Sequence, residues 1–169
     1  MKNKLIIVAI GILLVAAALP ALGHHSFAMY DQTKTVTLTG VVSGFSGQAN
    51  HAEIQFWLVD PKEGKPIKGP DGKYVSWGVE MAGAAAVAEQ GITAKTFGVG
   101  TVFSVKLNPM RDGTNFGSRV GAIAKCPTNE AGKAVPPEAG KHCDSVEGNK
   151  AFGTGQLPKH TPAAPVPRS

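Results

Sequence analysis

Residues 36–42 read Val36-Thr37-Leu38-Thr39-Gly40-Val41-Val42, and this stretch decides the fold. Val36, Leu38, Gly40 and Val42 alternate with Thr37, Thr39 and Val41, the period-two pattern of a half-buried strand. Ile54, Phe56 and Leu58 alternate in the same way with Glu53, Gln55 and Trp57. Between Asp60 and Lys73 lies a loop rich in Pro, Gly and Lys, with Asp71-Gly72 as a tight-turn signal. Val75, Trp77, Val79 and Met81 make a third strand face. The alanine-rich stretch from Ala82 to Gln90, closed by Gly91, reads as a short helix. Val102 to Leu107 and Ser118 to Ala124 supply two further strands, separated by Asn108-Pro109 and the turn Asp112-Gly113.

Three strands, a helix and two more strands are the element order of a small five-stranded, OB-like barrel. The expected class is therefore all-β with one short helix. A curled meander closed by its own ends fits the same count. Gly40 and Gly44 fit a bend or bulge where a barrel strand turns its corner.

Outward from the barrel, the N terminus begins with Lys2 and Lys4, followed by an apolar run from Leu5 to Leu19. Pro20 breaks the run, and Ala21-Leu22-Gly23 places small residues at the −3 and −1 positions of a cleavage site. This layout predicts a signal peptide over 1–23 and a periplasmic or secreted protein. The competing reading is an uncleaved anchor, for which Leu5 to Leu22 stands at the short limit of the roughly 20 residues that a span needs. No second hydrophobic stretch follows, so the cleaved chain has no membrane-spanning helix.

On the other side, residues 127–169 hold seven of the twelve prolines and few large apolar groups. Cys126 and Cys143 form an even pair in a chain predicted to be exported, which favours a disulfide. The expected organisation is a barrel over 24–125, a disulfide-closed loop over 126–143 lying on it, and a flexible Pro-rich tail over 144–169. His142 beside Cys143 raises metal binding, but two Cys and one His are no standard zinc set.

The chain has 169 residues and a formal charge of +5. At 43% hydrophobic it has enough apolar residues to bury a core, which excludes wholesale disorder. Its basic residues, such as Lys34, Lys73, Lys95, Lys106, Arg111 and Arg119, are scattered singly, which argues against nucleic acid and for solubility or contact with anionic envelope surfaces. Catalytic signatures are missing. Ser46, in Gly44-Phe45-Ser46-Gly47-Gln48, does not match a nucleophile elbow. Gly72-Lys73-Tyr74 is no phosphate loop. Glu53, Glu80 and Asp112 are the carboxylates expected near a barrel rim, with Arg111 as a partner for Glu80. The class this supports is a non-catalytic binding or accessory protein.

One sharp feature arises from the cleavage itself. A cut after Gly23 makes His24 the first residue, followed by His25. An N-terminal histidine offers its amine and its ring nitrogen to one metal, and a further imidazole completes a planar nitrogen set suited to Cu(II). His51, just ahead of the second strand, is the expected distant ligand, with His25 as substitute. Adjacent residues of an extended chain point apart, which counts against His25. The plainer reading leaves His24 and His25 as an exposed leader and lets His51 cap a turn or pack against Trp57 or Trp77. Phe27 and Tyr30 then anchor the N-terminal segment to the barrel. A runner-up without metal is a structural or interaction module that binds an envelope protein through the face around Phe45, Trp57 and Tyr74.

Taken together, His24-His25-Ser26-Phe27-Ala28 with Tyr30-Asp31, the 36–42 stretch, Asn50-His51, and Trp77 with Glu80 carry a resemblance. Gly91-Ile92-Thr93, Gly98-Val99-Gly100, and Pro109 with Arg111-Asp112-Gly113 extend it over about residues 24–124. The chain resembles a family of small exported bacterial proteins built on a domain of unknown function. It departs from that pattern at Ala49-Asn50-His51, where the family reads Asn-Pro-His, and at Phe45-Ser46-Gly47-Gln48, where the family carries a tryptophan. The resemblance implies a periplasmic, non-catalytic β-barrel, and it brings no established ligand.

Overall fold

A computed structural model describes residues 28–153. The elements in chain order are β1 (Val36–Gly47), β2 (Ala52–Asp60), β3 (Lys65–Pro66), β4 (Ser76–Met81), α1 (Ala84–Glu89), β5 (Val102–Pro109), β6 (Phe116–Lys125) and β7 (Lys150–Phe152). A 3-10 turn, Cys143–Ser145, precedes β7. The expected signal peptide over 1–23, His24 and His25 lie outside the described residues, as does the chain beyond 153. Among the described residues no helix is long and apolar enough to cross a membrane.

Five strands close a barrel in the order β1-β5-β6-β4-β2, with β2 returning to β1. Every neighbouring pair is antiparallel except β4 and β6, which run parallel from Gly78↔Phe116 to Glu80↔Ser118. The α1 crossover between β4 and β5 allows that one parallel pair. This is the expected OB-type arrangement, and the meander alternative is excluded by the parallel pair.

One strand must serve both halves of a closed barrel, and β1 does so. Its first half pairs β5 from Val36↔Leu107 to Val41↔Val102. Its second half pairs β2 from Gly40↔Leu58 to Gly47↔Ala52, with the register shifting between Val42 and Gly44. The bulge falls at the glycine-bearing corner, as the sequence predicts. Gly40 faces inward, and a Cβ there would run into the Phe56 ring.

The period-two residues fill the interior. Val42, Ile54, Phe56, Val79, Phe103, Val105, Leu107 and Ile123 are buried in one cluster. Ile92 and Phe97, in the segment after α1, join it. Phe103 meets Phe56 and Phe97 edge to face, with centroids at 5.2 and 5.8 Å. Gly91, at φ +78°, ends α1, where a side chain would be strained.

Beyond β6 the chain is more ordered than its proline content suggests. Cys126 and Cys143 are joined by the expected disulfide. The segment it closes lies on the outer side of β1 and β5, where Thr39 and His142 Nδ1 are 2.5 Å apart and the Asp144 amide donates to Ser104 Oγ at 3.2 Å. The flexible tail expected from 144 is corrected over 144–153: β7 pairs β6 from Ile123↔Phe152 to Lys125↔Lys150. Phe152 packs edge to face on Phe97 at 5.2 Å. A three-residue strand carries too little alternation to be read in advance, and its pairing with β6 and the Phe152–Phe97 contact hold it. Similarly β3, within the loop expected over 60–73, is a two-residue pairing with Val59 and Asp60.

Candidate functional site

The outer faces of β2 and β4 carry the polar residues that alternate with the core. Glu53 stands opposite Glu80 in the register, and Gln55 opposite Gly78. Glu53 and Glu80, with Ser46 and the 48–51 turn, line an open depression of about 280 Å3. Two facing carboxylates and one imidazole make this the most chemically loaded surface among the described residues.

The turn places His51 by backbone bonds. The Gln48 amide donates to the His51 carbonyl at 3.1 Å, and the Ala84 amide to the Gln48 carbonyl at 3.0 Å, fixing the turn against α1. A Cβ at Gly83 would collide with the Ala49 carbonyl oxygen, so α1 and the turn meet backbone to backbone. The His51 ring is half-exposed, with Nδ1 3.1 Å from Glu80 Oε1. Its charged neighbour is Glu80.

Glu80 also receives the N-terminal segment. The Tyr30 hydroxyl donates to Glu80 Oε2 at 2.9 Å. Tyr30 is 1% exposed. Its ring stacks on Phe116 at 6.5 Å and 21°. Phe116 lies over Gly78, where any Cβ would strike the ring. Burial pushes the Tyr30 phenol well above its ordinary range, reinforced by the Glu80 hydrogen bond and by the charges of Glu80 and Glu53. The phenol therefore stays a donor throughout the neutral range. The anchor expected of Tyr30 is present, and Phe27 lies outside the described residues.

The expected pairing of Glu80 with Arg111 is corrected. Arg111 Nε donates to the Tyr30 carbonyl at 3.2 Å, and its amide to the Met29 carbonyl at 2.9 Å. Arg111 thus holds the backbone of the segment whose phenol holds Glu80. Asp112 caps its own turn through the Thr114 amide at 2.9 Å, away from the depression. Among the described residues, no three His, Cys, Asp or Glu side chains form a group that could hold a metal.

The chain matches, over residues 11–119, the model of a family described as a family of unknown function (DUF6152). It belongs to DUF6152. The match takes in Tyr30, His51, Glu53, Glu80 and Arg111, and stops within β6. The Cys126–Cys143 extension of this DUF6152 chain lies beyond it. No curated protein and no solved structure matches the chain.

The runner-up face of the DUF6152 barrel loses one of its three expected members. Phe45 packs against the core, leaving Trp57 and Tyr74 as an outward pair at 5.0 Å. His142, which looked incidental, hydrogen-bonds the buried Thr39 and so holds the extension. Neither the Tyr30–Glu80 bond nor the Glu80–His51 pair has a local sequence signal, because the first spans 50 residues and the second joins the 48–51 turn to β4.

Proposed function

We propose that this is an exported, non-catalytic protein of the bacterial periplasm that binds Cu(II). The ligands are the His24 amine and ring, freed by cleavage after Gly23, and the His51 ring, with His25 auxiliary. The observation that carries the reading is the 3.1 Å approach of His51 Nδ1 to Glu80 Oε1. A lone pair on Nδ1 would face the carboxylate's own lone pairs, so the proton belongs on Nδ1 and Nε2 is the free donor. A ligand histidine backed by a carboxylate is the common arrangement around bound metals.

Reach supports the same reading. Tyr30 is pinned at Glu80, the carboxylate that also meets His51, and stands six residues after His24, a reach of at most about 20 Å. His51 and a chelating His24 would supply three nitrogen donors, the set that suits Cu(II). A disulfide in the chain accords with an oxidising compartment. The outer face of the second and third barrel strands is also where OB-type barrels bind their ligands.

The test is Cu(II) titration of protein purified from the periplasm, its N terminus confirmed by intact mass. Calorimetry and EPR accompany a form extended by one N-terminal glycine. Stoichiometric binding with nitrogen-rich EPR parameters is expected, lost in the extended form and in His51→Ala. Equal, weak binding in all three forms would remove copper from the account.

A further inference from the structure

A single carboxylate, Glu80, has its two oxygens divided between two residues from different parts of the chain. Oε2 accepts from the Tyr30 hydroxyl at 2.9 Å, while Oε1 lies 3.1 Å from His51 Nδ1. Neither partner is free to drift. His51 sits in a turn bonded to α1, and Tyr30 is held at several points. Tyr30 bridges Met110, the Asp31 amide donates to the Pro109 carbonyl at 2.8 Å, and Arg111 grips Met29 and Tyr30. The facing Glu53 carboxylate is bonded instead by Gln55 Nε2, at 3.3 Å.

We infer that Tyr30 and Glu80 are positioning residues for His51: a phenol–carboxylate–imidazole chain holds the ring as its Nδ1–H tautomer and leaves Nε2 as the metal donor. The inference rests on the copper reading for the use made of that donor, and on geometry alone for the tautomer. Without a partner, a neutral histidine ring is free to carry its proton on either nitrogen, and the hydrogen bond made by one decides what the other can do. A carboxylate fixed from behind by a buried phenol decides it here. The same hydrogen bond ties the arrival of the N-terminal segment at the barrel to the orientation of the distant ligand. Docking of Tyr30 and preparation of His51 are then one event.

The experiment uses the full mature chain in two parts. In the metal-free protein, long-range proton–nitrogen NMR of the imidazoles reads the His51 tautomer directly above the range where the ring is protonated. The expected result is Nδ1–H in the wild type and a shift towards Nε2–H in Glu80→Ala. Tyr30→Phe keeps the ring packing and is expected to move the tautomer population part of the way. In the second part, competition titration with Cu(II) is expected to show affinity reduced roughly 10- to 100-fold in Glu80→Ala, the usual range for an outer-shell partner. Thermal melts confirm that each variant is folded.

A wild-type ring found as Nε2–H, or one unmoved by Glu80→Ala, overturns the inference. If copper binds with the His24-dependent signature and both Glu80→Ala and Tyr30→Phe hold it equally tightly, the positioning role falls while the copper reading stands. If the tautomer responds as stated but no form takes up copper, the copper reading falls and the tautomer assignment stands.

Discussion

Two segments lie against the outside of this barrel, one before its first strand and one after its last, and they are held by different means. The N-terminal segment around Tyr30 is attached without a covalent link, through a buried ring, one phenol–carboxylate bond and a few backbone bonds. The C-terminal extension is stapled by Cys126–Cys143 and then positioned by Thr39–His142, Ser104–Asp144 and a Lys106–Asp144 ion pair at 3.5 Å. A disulfide acts mainly by restricting the unfolded chain. Hydrogen bonds and a buried ring act only in the folded state and reach specific atoms. The first device keeps a segment close, and the second can set the chemistry of its partner. That difference accords with the polar, open face sharing Glu80 with the N-terminal segment, inside the family match, while the extension lies outside it.

The sharpest way to break the comparison is Tyr30→Ala. It removes a fully buried aromatic, a change that costs about 3–5 kcal/mol in well-packed sites. In urea titration the whole barrel should lose that much, because the ring stacks on Phe116, which in turn covers Gly78 of β4. A loss below about 1 kcal/mol would show the segment to be decoration.

Next in size is the double change Cys126→Ser, Cys143→Ser. For a closed loop of this length the chain-entropy estimate is about 3 kcal/mol, seen as a lower denaturation midpoint. Hydrogen exchange should then open at the Asp144 and Val146 amides while those of Asp31 and Arg111 keep their protection. Equal opening at both ends would mean the two segments are coupled through the barrel, against the contrast drawn here.

The smallest effect is in pH. The Tyr30 phenol titrates higher when folded than its unfolded value near 10. Its contribution is fully present below about pH 10 and is lost as pH rises above it, because only the unfolded chain then readily gives up the proton. Melting temperatures taken between pH 9 and 11 should therefore fall more steeply in the wild type than in Tyr30→Phe. Parallel slopes would place the hydroxyl outside the energetics of the anchor.

How much was legible follows from where each signal is written. Alternation over a few residues exposed β1, β2, β4, β5 and β6, and Gly91 marked the end of α1. The turn chemistry of Asp112-Gly113 needed nothing distant. By contrast, β7 is three residues long and depends on Phe152 reaching Phe97, so no local pattern announces it. Phe45 carries an aromatic that suits either face, and only the bulge between Val42 and Gly44 turns it inward. Glu80 was readable as a rim residue from its phase on the strand. Its partners were not, since Arg111 and Tyr30 are both far from it in sequence and only the folded chain decides which of them reaches it.

By itself, then, the sequence determined the strand periods, the OB-type order of elements and the cysteine pair, because hydrophobic phase and turn residues act over neighbouring positions. The tertiary structure alone decided that one carboxylate of β4 would stand between Tyr30 and His51. That meeting depends on barrel closure, on the notch at Gly78 that admits Phe116, and on the Arg111 bonds that seat the N-terminal segment. These are contacts across dozens of residues, and only the folded chain brings their partners within a hydrogen bond of each other.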